Sequence, residues 1–288
     1  MTKPIESLRR LPALGVLAER QMGGFLAISA LVGAAVGLGA SALIALVAWL
    51  EEFFLPLAID EGHPWIFLTV PTGLLLAWFI GRRLAPEVAG DGVPEAVAAL
   101  EVHGGRMRGR VIPLKIIATA ATVGTGGSGG REGPIVQVGA AIGSVISRRF
   151  NLGEDQVRSL VAAGAGAGIG ATFNAPIAGM LFALEVILAS FAARHMSAIV
   201  IASITAAVTT RTIIGSQLAI SAGTFALGNF GELLLYALLA LVVVAVGVFF
   251  LRLLERLELL AIAQHHALGF LRPLLTGVLV AGLIFVEP

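Results

Sequence analysis

The chain has 288 residues, of which 57% are hydrophobic and 13% are charged, and its net charge at neutral pH is +1. Soluble domains have about a quarter of their residues charged, so this composition excludes an ordinary soluble protein and predicts one that uses the lipid bilayer as its solvent. The small net charge argues against a nucleic-acid partner, and the absence of cysteine excludes disulfides and thiolate metal sites.

The N-terminal segment combines basic residues with regularly spaced leucines. Its pattern predicts an amphipathic helix over residues 1–22 that lies on the cytoplasmic membrane surface. A first membrane span is expected over residues 23–57 and a second over 65–80. Arginines before the first span and after the second, with acidic residues between the two, predict a cytoplasmic N-terminus and a multi-pass protein of the cell membrane.

Beyond residue 90 the apolar stretches become short and are interrupted by glycine and proline. They cover residues 94–100, 111–123, 134–146, 157–169 and 176–188. Several are shorter than the ~20 residues that a spanning helix needs, so we expect broken or steeply tilted helices joined by irregular backbone at membrane depth. Longer spans are expected over residues 197–214 and 233–254.

The last apolar run, residues 274–285, begins after Arg272 and Pro273 and reaches Pro288 without a polar flank. It resembles the first part of a new helix rather than the end of a fold. We therefore expect the chain to be truncated.

Three motifs interrupt the apolar stretches. They are GDGVPE at residues 90–95, GGSGGREGP at 126–134 and FNAPIAG at 173–179. In the first two, glycines precede a proline in the first turn of an apolar helix, where the missing proline N–H costs nothing. A helix N-terminus carries partial positive charge and unpaired N–H groups. Two such ends aimed at one point predict a weak anion site, which suits conduction because an ion must enter and leave.

The pair Arg131-Glu132 is the most prominent ionisable feature of these motifs. Ionisable residues inside a membrane are costly and usually functional. A carboxylate at a helix N-terminus occupies the place that an anion would take, so it competes when charged and leaves when protonated. Glu132 is therefore predicted to be both a gate and a proton carrier. The alternatives are a structural ion pair between Arg131 and Glu132, or a surface loop.

An enzyme is the competing hypothesis. Residues 126–130 match the G-x-S-x-G nucleophile motif, which would make Ser128 the nucleophile of an intramembrane serine protease. That reaction needs a histidine base at membrane depth, and none of the five histidines is in a convincing position. His265 and His266 are adjacent, so they do not face one metal ion from a helix. We expect no enzyme activity, no metal and no cofactor.

In this order and spacing, the motifs at residues 90–95, 130–134 and 173–179 resemble those of the chloride channel (ClC) family of anion channels and proton-coupled antiporters. The resemblance implies an all-α membrane fold of two inverted repeats of broken and tilted helices. It also implies a homodimer with one pore per subunit and chloride as the transported ligand. The first repeat would cover residues 23–215, and the start of the second would cover 216–288. The family's remaining anion-binding amides and its pore tyrosine would lie beyond Pro288, so a complete pore would need the missing C-terminal half.

The resemblance also assigns the anion pathway. Glu132 matches the external gating glutamate, and the amides of Arg131, Glu132 and Gly133 match part of the outer anion site. Asp91 stands where the family commonly has a serine that coordinates the central anion, in the segment Gly90-Asp91-Gly92-Val93. Asp is a favoured N-cap residue, so Asp91 is expected to cap the following helix; a protonated Asp91 that donates to the anion is the second possibility.

Three further residues support this assignment. Lys115 matches a buried basic residue in the helix before the gate, and Glu185 matches an acidic position near the inner face. Val186 stands where proton-coupled members often carry a second, internal glutamate. Because valine does not carry a proton, weak or absent proton coupling is expected. The resemblance alone leaves open whether the protein is a channel or an antiporter.

Overall fold

The structure is a computed structural model that describes residues 11–59, 65–215, 228–263 and 269–286. Every regular element in these residues is helical, which confirms the predicted all-α class. The α-helices are α1 (Leu11–Ile59), α2 (Ile66–Phe79), α3 (Val93–Glu101), α4 (Val111–Val123), α5 (Glu132–Arg149), α6 (Glu154–Thr172), α7 (Pro176–Phe182), α8 (Ala193–Ile214), α9 (Glu232–Ala263) and α10 (Leu271–Val286).

Helix lengths follow the expected pattern with two differences. The short helices α3, α4 and α7 have 9, 13 and 7 residues. Helices α5 and α6 have 18 and 19 residues, longer than predicted. Charged residues continue α5 at both ends and α6 at its start, and small residues, 170–172, continue α6 at its end. The turns Ile80–Leu84 and Ala183–Ile187 are π-helical and extend α2 and α7, and Pro86–Val88 forms a 3-10 turn.

Helix α1 passes without a break through the boundary expected at residue 22. Residues 1–10 lie outside the described part of the chain, so the surface helix over residues 1–22 stays a prediction. The repeat boundaries at residues 23–215 and 216–288 stay predictions as well.

Four helical segments in the described residues are long and apolar enough to cross a membrane. They are Met22–Phe54, Ile66–Leu84, Ala193–Ile214 and Glu232–Leu259. Shorter apolar helices cover Val111–Val123, Pro176–Ile187 and Leu271–Val286. This mixture of long and short apolar helices is the pattern that the sequence predicts for broken helices in a membrane.

Small side chains allow the helices of the core to pack with their backbones in contact. A Cβ atom added to Gly139 of α5 would overlap the carbonyl of Gly164 on α6, and one added to Gly143 would overlap the carbonyl of Leu160. Helices α5 and α6 are therefore antiparallel and cross at glycine, as close pairs of membrane helices commonly do.

The contacts divide the chain into a first unit, residues 1–219 and 273–288, and a second unit, residues 220–272. In the first unit, α10 packs on α2, where Gly277 lies against Pro71. In the second unit, the described side chains of α9 are exposed along almost the whole helix.

Candidate functional site

The N-termini of α3 and α5 meet at two glycines. Gly92 precedes α3 with φ of 120°, a conformation that L-residues rarely adopt. A Cβ on Gly92 would overlap the carbonyl of Gly133, and one on Gly133 would lie 2.8 and 2.9 Å from the carboxylate oxygens of Asp91. Larger residues at either position would push the two helix ends apart.

The two helix ends offer different numbers of free N–H donors. The Gly92 amide donates to the Glu95 carboxylate at 2.7 Å, and Pro94 has no N–H, so the amides of Val93 and Glu95 are the remaining donors in the first turn of α3. At α5, the amides of Arg131, Glu132 and Gly133 donate no hydrogen bond within the described part of the chain. The predicted anion-binding amides are therefore available at α5, whereas that of Gly92 is occupied.

Glu132 is the first residue of α5 and is partly buried. Its carboxylate folds back over Gly130, where an added Cβ would overlap it. Among the described residues, no ion pair joins Arg131 to Glu132, so the alternative of a structural ion pair is wrong. The carboxylate thus lies beside the first turn of its own helix, where the helix dipole favours negative charge.

Asp91 does not cap α3. The helix begins after Gly92 and no side chain accepts its first amides in the manner of an N-cap. The expectation that Asp91 serves as the cap is wrong, because no amide of α3 donates to its side chain. The Glu95 carboxylate instead accepts a hydrogen bond from the Gly92 amide. The Asp91 side chain is exposed and its carboxylate lies against Gly133.

Two buried polar side chains hold the backbone that leads into α3. The Lys115 ammonium is 2% exposed and donates to the carbonyls of Val88 and Gly90 at 3.0 and 2.5 Å. Gln137, which is fully buried, donates through Nε2 to the carbonyl of Glu87 at 2.6 Å. The sequence pointed to Lys115 but not to Gln137, whose one signal is an amide side chain between two valines in an apolar helix.

Glu185 and Val186 lie in the π turn that follows α7, and both side chains are exposed. This turn packs against α3 and α6. Neither residue contacts the carboxylate of Asp91 or Glu132 through a hydrogen bond or ion pair in the described residues. The third motif, at residues 173–179, starts α7, where Ser203 of α8 donates to the Pro176 carbonyl at 2.8 Å.

The protease hypothesis finds no support at Ser128, which is exposed in the loop before α5 and has no histidine partner among the described residues. His195 instead bonds to the buried hydroxyl of Ser159 at 2.6 Å, a contact that joins the starts of α6 and α8. His265 and His266 lie outside the described residues. In the described part of the chain no group of three acidic or histidine side chains gathers as a metal site would require.

Broken helices, long apolar spans and two helix N-termini that meet at glycines are the features of a polytopic membrane protein. A family profile described as voltage gated chloride channel matches residues 72–288. The chain therefore belongs to the voltage gated chloride channel (ClC) family, and the resemblance seen in its motifs is confirmed.

Among curated relatives, the chain is 34% identical over 268 residues to the H(+)/Cl(-) exchange transporter ClcA of Yersinia pestis bv. Antiqua (strain Angola), which covers 90% of the chain and 56% of that protein. It is 33% identical over 266 residues to the transporter of the same name from Cronobacter sakazakii (strain ATCC BAA-894), with 88% and 56% covered. The chain thus spans about half the length of the curated relatives it matches.

Solved structures share the fold. A slow cyanobacterial Cl-/H+ antiporter matches with a TM-score of 0.71 at 27% identity, over 89% of this chain and 63% of that one. A CLC-type fluoride/proton antiporter matches with a TM-score of 0.68 at 25% identity, over 99% and 66%. A eukaryotic CLC transporter, at 21% identity and a TM-score of 0.71 over 91% and 49%, supports the fold alone.

Proposed function

We propose that the protein transports chloride or a similar small anion across the cell membrane, and that Glu132 gates the pathway. The observation that carries this proposal is the meeting of the α3 and α5 N-termini at Gly92 and Gly133, with the Glu132 carboxylate beside the free amides of α5. An anion at these amides and the carboxylate compete for the same partial positive charge. Protonation of Glu132 removes that competition.

The names of the relatives support exchange of chloride for protons, with Glu132 as the proton carrier. Coupling is weak in this proposal, because Val186 offers no proton acceptor at the position where coupled members often have one. The family resemblance supports a multi-pass homodimer, and the arginines before the first span and after the second support a cytoplasmic N-terminus. Chloride is the transported ligand, and the lipid bilayer is the surrounding partner.

The experiment is chloride efflux at pH 4.5 and 7.5, with proton movement recorded in parallel, from liposomes that contain the protein with both inverted repeats present. The variants are Glu132→Gln and, as the control, Glu154→Gln at the exposed start of α6. We expect flux that rises in acid for the wild type and the control, and a pH-independent flux without coupled proton movement for Glu132→Gln. An unchanged pH dependence in Glu132→Gln contradicts the gate, and the absence of chloride flux in the wild type contradicts transport.

A further inference from the structure

Seven arginines gather at one end of the first unit, where α2 and α5 finish and α4 begins. We call them the arginine cluster, and its members are Arg82, Arg83, Arg106, Arg108, Arg110, Arg148 and Arg149. The anion site proposed above uses none of them.

Contacts across three chain segments make the arginine cluster one surface. Glu87 accepts hydrogen bonds from Arg108 at 3.0 Å and from Arg110 at 2.9 Å. The Arg148 guanidinium donates to the carbonyl of Met107. On the α2 side, the turn that carries Arg82 and Arg83 folds against the 3-10 turn that carries Glu87. The end of α2, the loop before α4 and the end of α5 therefore present their arginines together.

The positive charge of the arginine cluster is only partly neutralised by acidic side chains in the described residues. Among the described residues, Glu87 is the one acidic side chain that pairs with the arginine cluster. Arg82 lies over the Trp78 ring, 5.4 Å from its centroid. Arg83, Arg106 and Arg149 form no ion pair or hydrogen bond through their side chains in the described part of the chain. Several guanidinium groups are thus held in place while others remain available to a ligand.

Exposed apolar side chains border the arginines directly. Phe79 is 48% exposed, Leu84 is 44% exposed and Phe150 is 50% exposed. Phe79 and Leu84 flank Arg82 and Arg83 at the end of the membrane-spanning segment Ile66–Leu84. The end of an apolar span is expected at the boundary between hydrocarbon and water, where a phospholipid places its headgroup above its acyl chains.

We propose that the arginine cluster binds the phosphate headgroup of an anionic phospholipid whose acyl chains lie against Phe79, Leu84 and Phe150. Guanidinium groups recognise phosphate through paired N–H donors, and basic pockets at the ends of membrane helices bind anionic headgroups. The apolar border favours a lipid over a free phosphate, because a free phosphate gains nothing from the three apolar side chains.

Native mass spectrometry of the purified chain in nonionic detergent tests the proposal, with dioleoylphosphatidylglycerol or dioleoylphosphatidylcholine added at equal concentrations. The test variant carries Arg83→Gln, Arg106→Gln and Arg149→Gln, which break no contact within the described residues. The control is Arg211→Gln, an exposed arginine at the opposite end of the first unit. One arginine near an anionic lipid surface favours binding by about fivefold.

We expect the wild type and the control to retain phosphatidylglycerol over phosphatidylcholine, and the triple variant to lose at least about tenfold in phosphatidylglycerol affinity. If the triple variant does not fold, the single variant Arg106→Gln serves as the test, with an expected loss of about fivefold in phosphatidylglycerol affinity. Equal retention of the two lipids by the wild type, or an unchanged affinity in the variant, overturns the proposal. Displacement of the lipid by an equal concentration of glycerol phosphate overturns it as well, because the site would then recognise a free phosphate.

Discussion

Lys115 is a buried cation that binds backbone carbonyls rather than a carboxylate. The carbonyls of Val88 and Gly90 accept its hydrogen bonds, so the ammonium fixes the backbone just before Gly92. This explains why a lysine is tolerated in an otherwise apolar helix, since buried charges need paired hydrogen-bonding groups.

We therefore expect Lys115→Met to lower the free energy of unfolding by about 3 kcal/mol, because the carbonyls of Val88 and Gly90 lose a buried charged donor. Gln137→Leu is the matched comparison and should cost about 1 kcal/mol, since it removes one neutral hydrogen bond, to Glu87, together with a buried side-chain oxygen that has no partner among the described residues. Unfolding of the purified chain in mixed micelles, followed by circular dichroism, measures both. Equal losses in the two variants would show that the charged hydrogen bonds of Lys115 stabilise the fold no more than one neutral hydrogen bond does.

Asp91 places a carboxylate beside the start of α5 without capping α3. We expect Asp91→Ser to leave stability nearly unchanged, because no N-cap hydrogen bond is lost. The same change should tighten chloride binding several-fold, because a negative charge beside the proposed anion site is removed. Calorimetric titration with chloride at two pH values measures the effect, with Asp155→Ser at the exposed start of α6 as the control. Identical chloride affinities for the wild type and Asp91→Ser at both pH values rule out any electrostatic contact between Asp91 and the anion.

At the scale of elements, the crossing of α5 and α6 depends on the absence of side chains. Gly164→Ala would place a methyl group into the carbonyl of Gly139, and such overpacking costs about 1–3 kcal/mol. Gly247→Ala on α9 is the control, because nothing lies within 4 Å of its added Cβ, and alanine favours helix by about 0.5–1 kcal/mol. The melting temperature should fall for Gly164→Ala and stay the same or rise for Gly247→Ala. An unchanged melting temperature for Gly164→Ala would mean that α5 and α6 can move apart at little cost in stability.

The 3-10 turn and the loop before α4 are joined by Glu87, Arg108 and Arg110. Partial burial raises the pKa of Glu87, but hydrogen bonds from its own amide and Arg110, with the charges of Arg110 and Arg108, outweigh burial and hold the pKa below the ordinary 4.5. A lowered pKa in the folded state stabilises the fold above pH 4.5, and this stabilisation is lost as the pH falls through the folded pKa.

The melting temperature of Glu87→Gln should therefore lie below that of the wild type near neutral pH, and the two should converge in acid below the lowered pKa. The effect is small because the side chain is one-third exposed. Glu255→Gln, at an exposed position of α9, is the control. A difference between Glu87→Gln and the wild type that grows toward acid would contradict the direction of the pKa change.

Local signals in the sequence located most helices, and long-range contacts supplied the rest. Val111–Val123 was predicted to its ends, because an apolar run there is bounded by Arg110 and Gly124. The hydrogen bond from Gln137 to the Glu87 carbonyl joins residues 50 positions apart, so no local sequence pattern predicts it. Asp91 was misassigned for a local reason, since Gly92 is the N-cap residue and its amide donates to Glu95 three residues later.

At the scale of the whole molecule, the directions of the helices determine which helix ends lie on the same side of the membrane. Gly33 of α1 faces Ala202 of α8, and Gly37 faces Ala206, so these two helices are parallel. The hydrogen bond between Ser159 and His195 joins the starts of α6 and α8. The N-terminal ends of α1, α6 and α8 therefore lie together, on the side of the arginine cluster, and the positive-inside rule predicts that this side faces the cytoplasm.

Single cysteines test this orientation, because the chain has none of its own. Met22→Cys, at an exposed site near the start of α1, and Glu154→Cys, at the start of α6, should react with a membrane-impermeant maleimide only in inside-out vesicles. Thr212→Cys, at the exposed end of α8, should react only in intact cells. The reverse pattern would contradict the cytoplasmic N-terminus while preserving the fold. Labelling of all three from one side would contradict the parallel arrangement itself, because α8 starts beside α6 and must end on the opposite face of the bilayer.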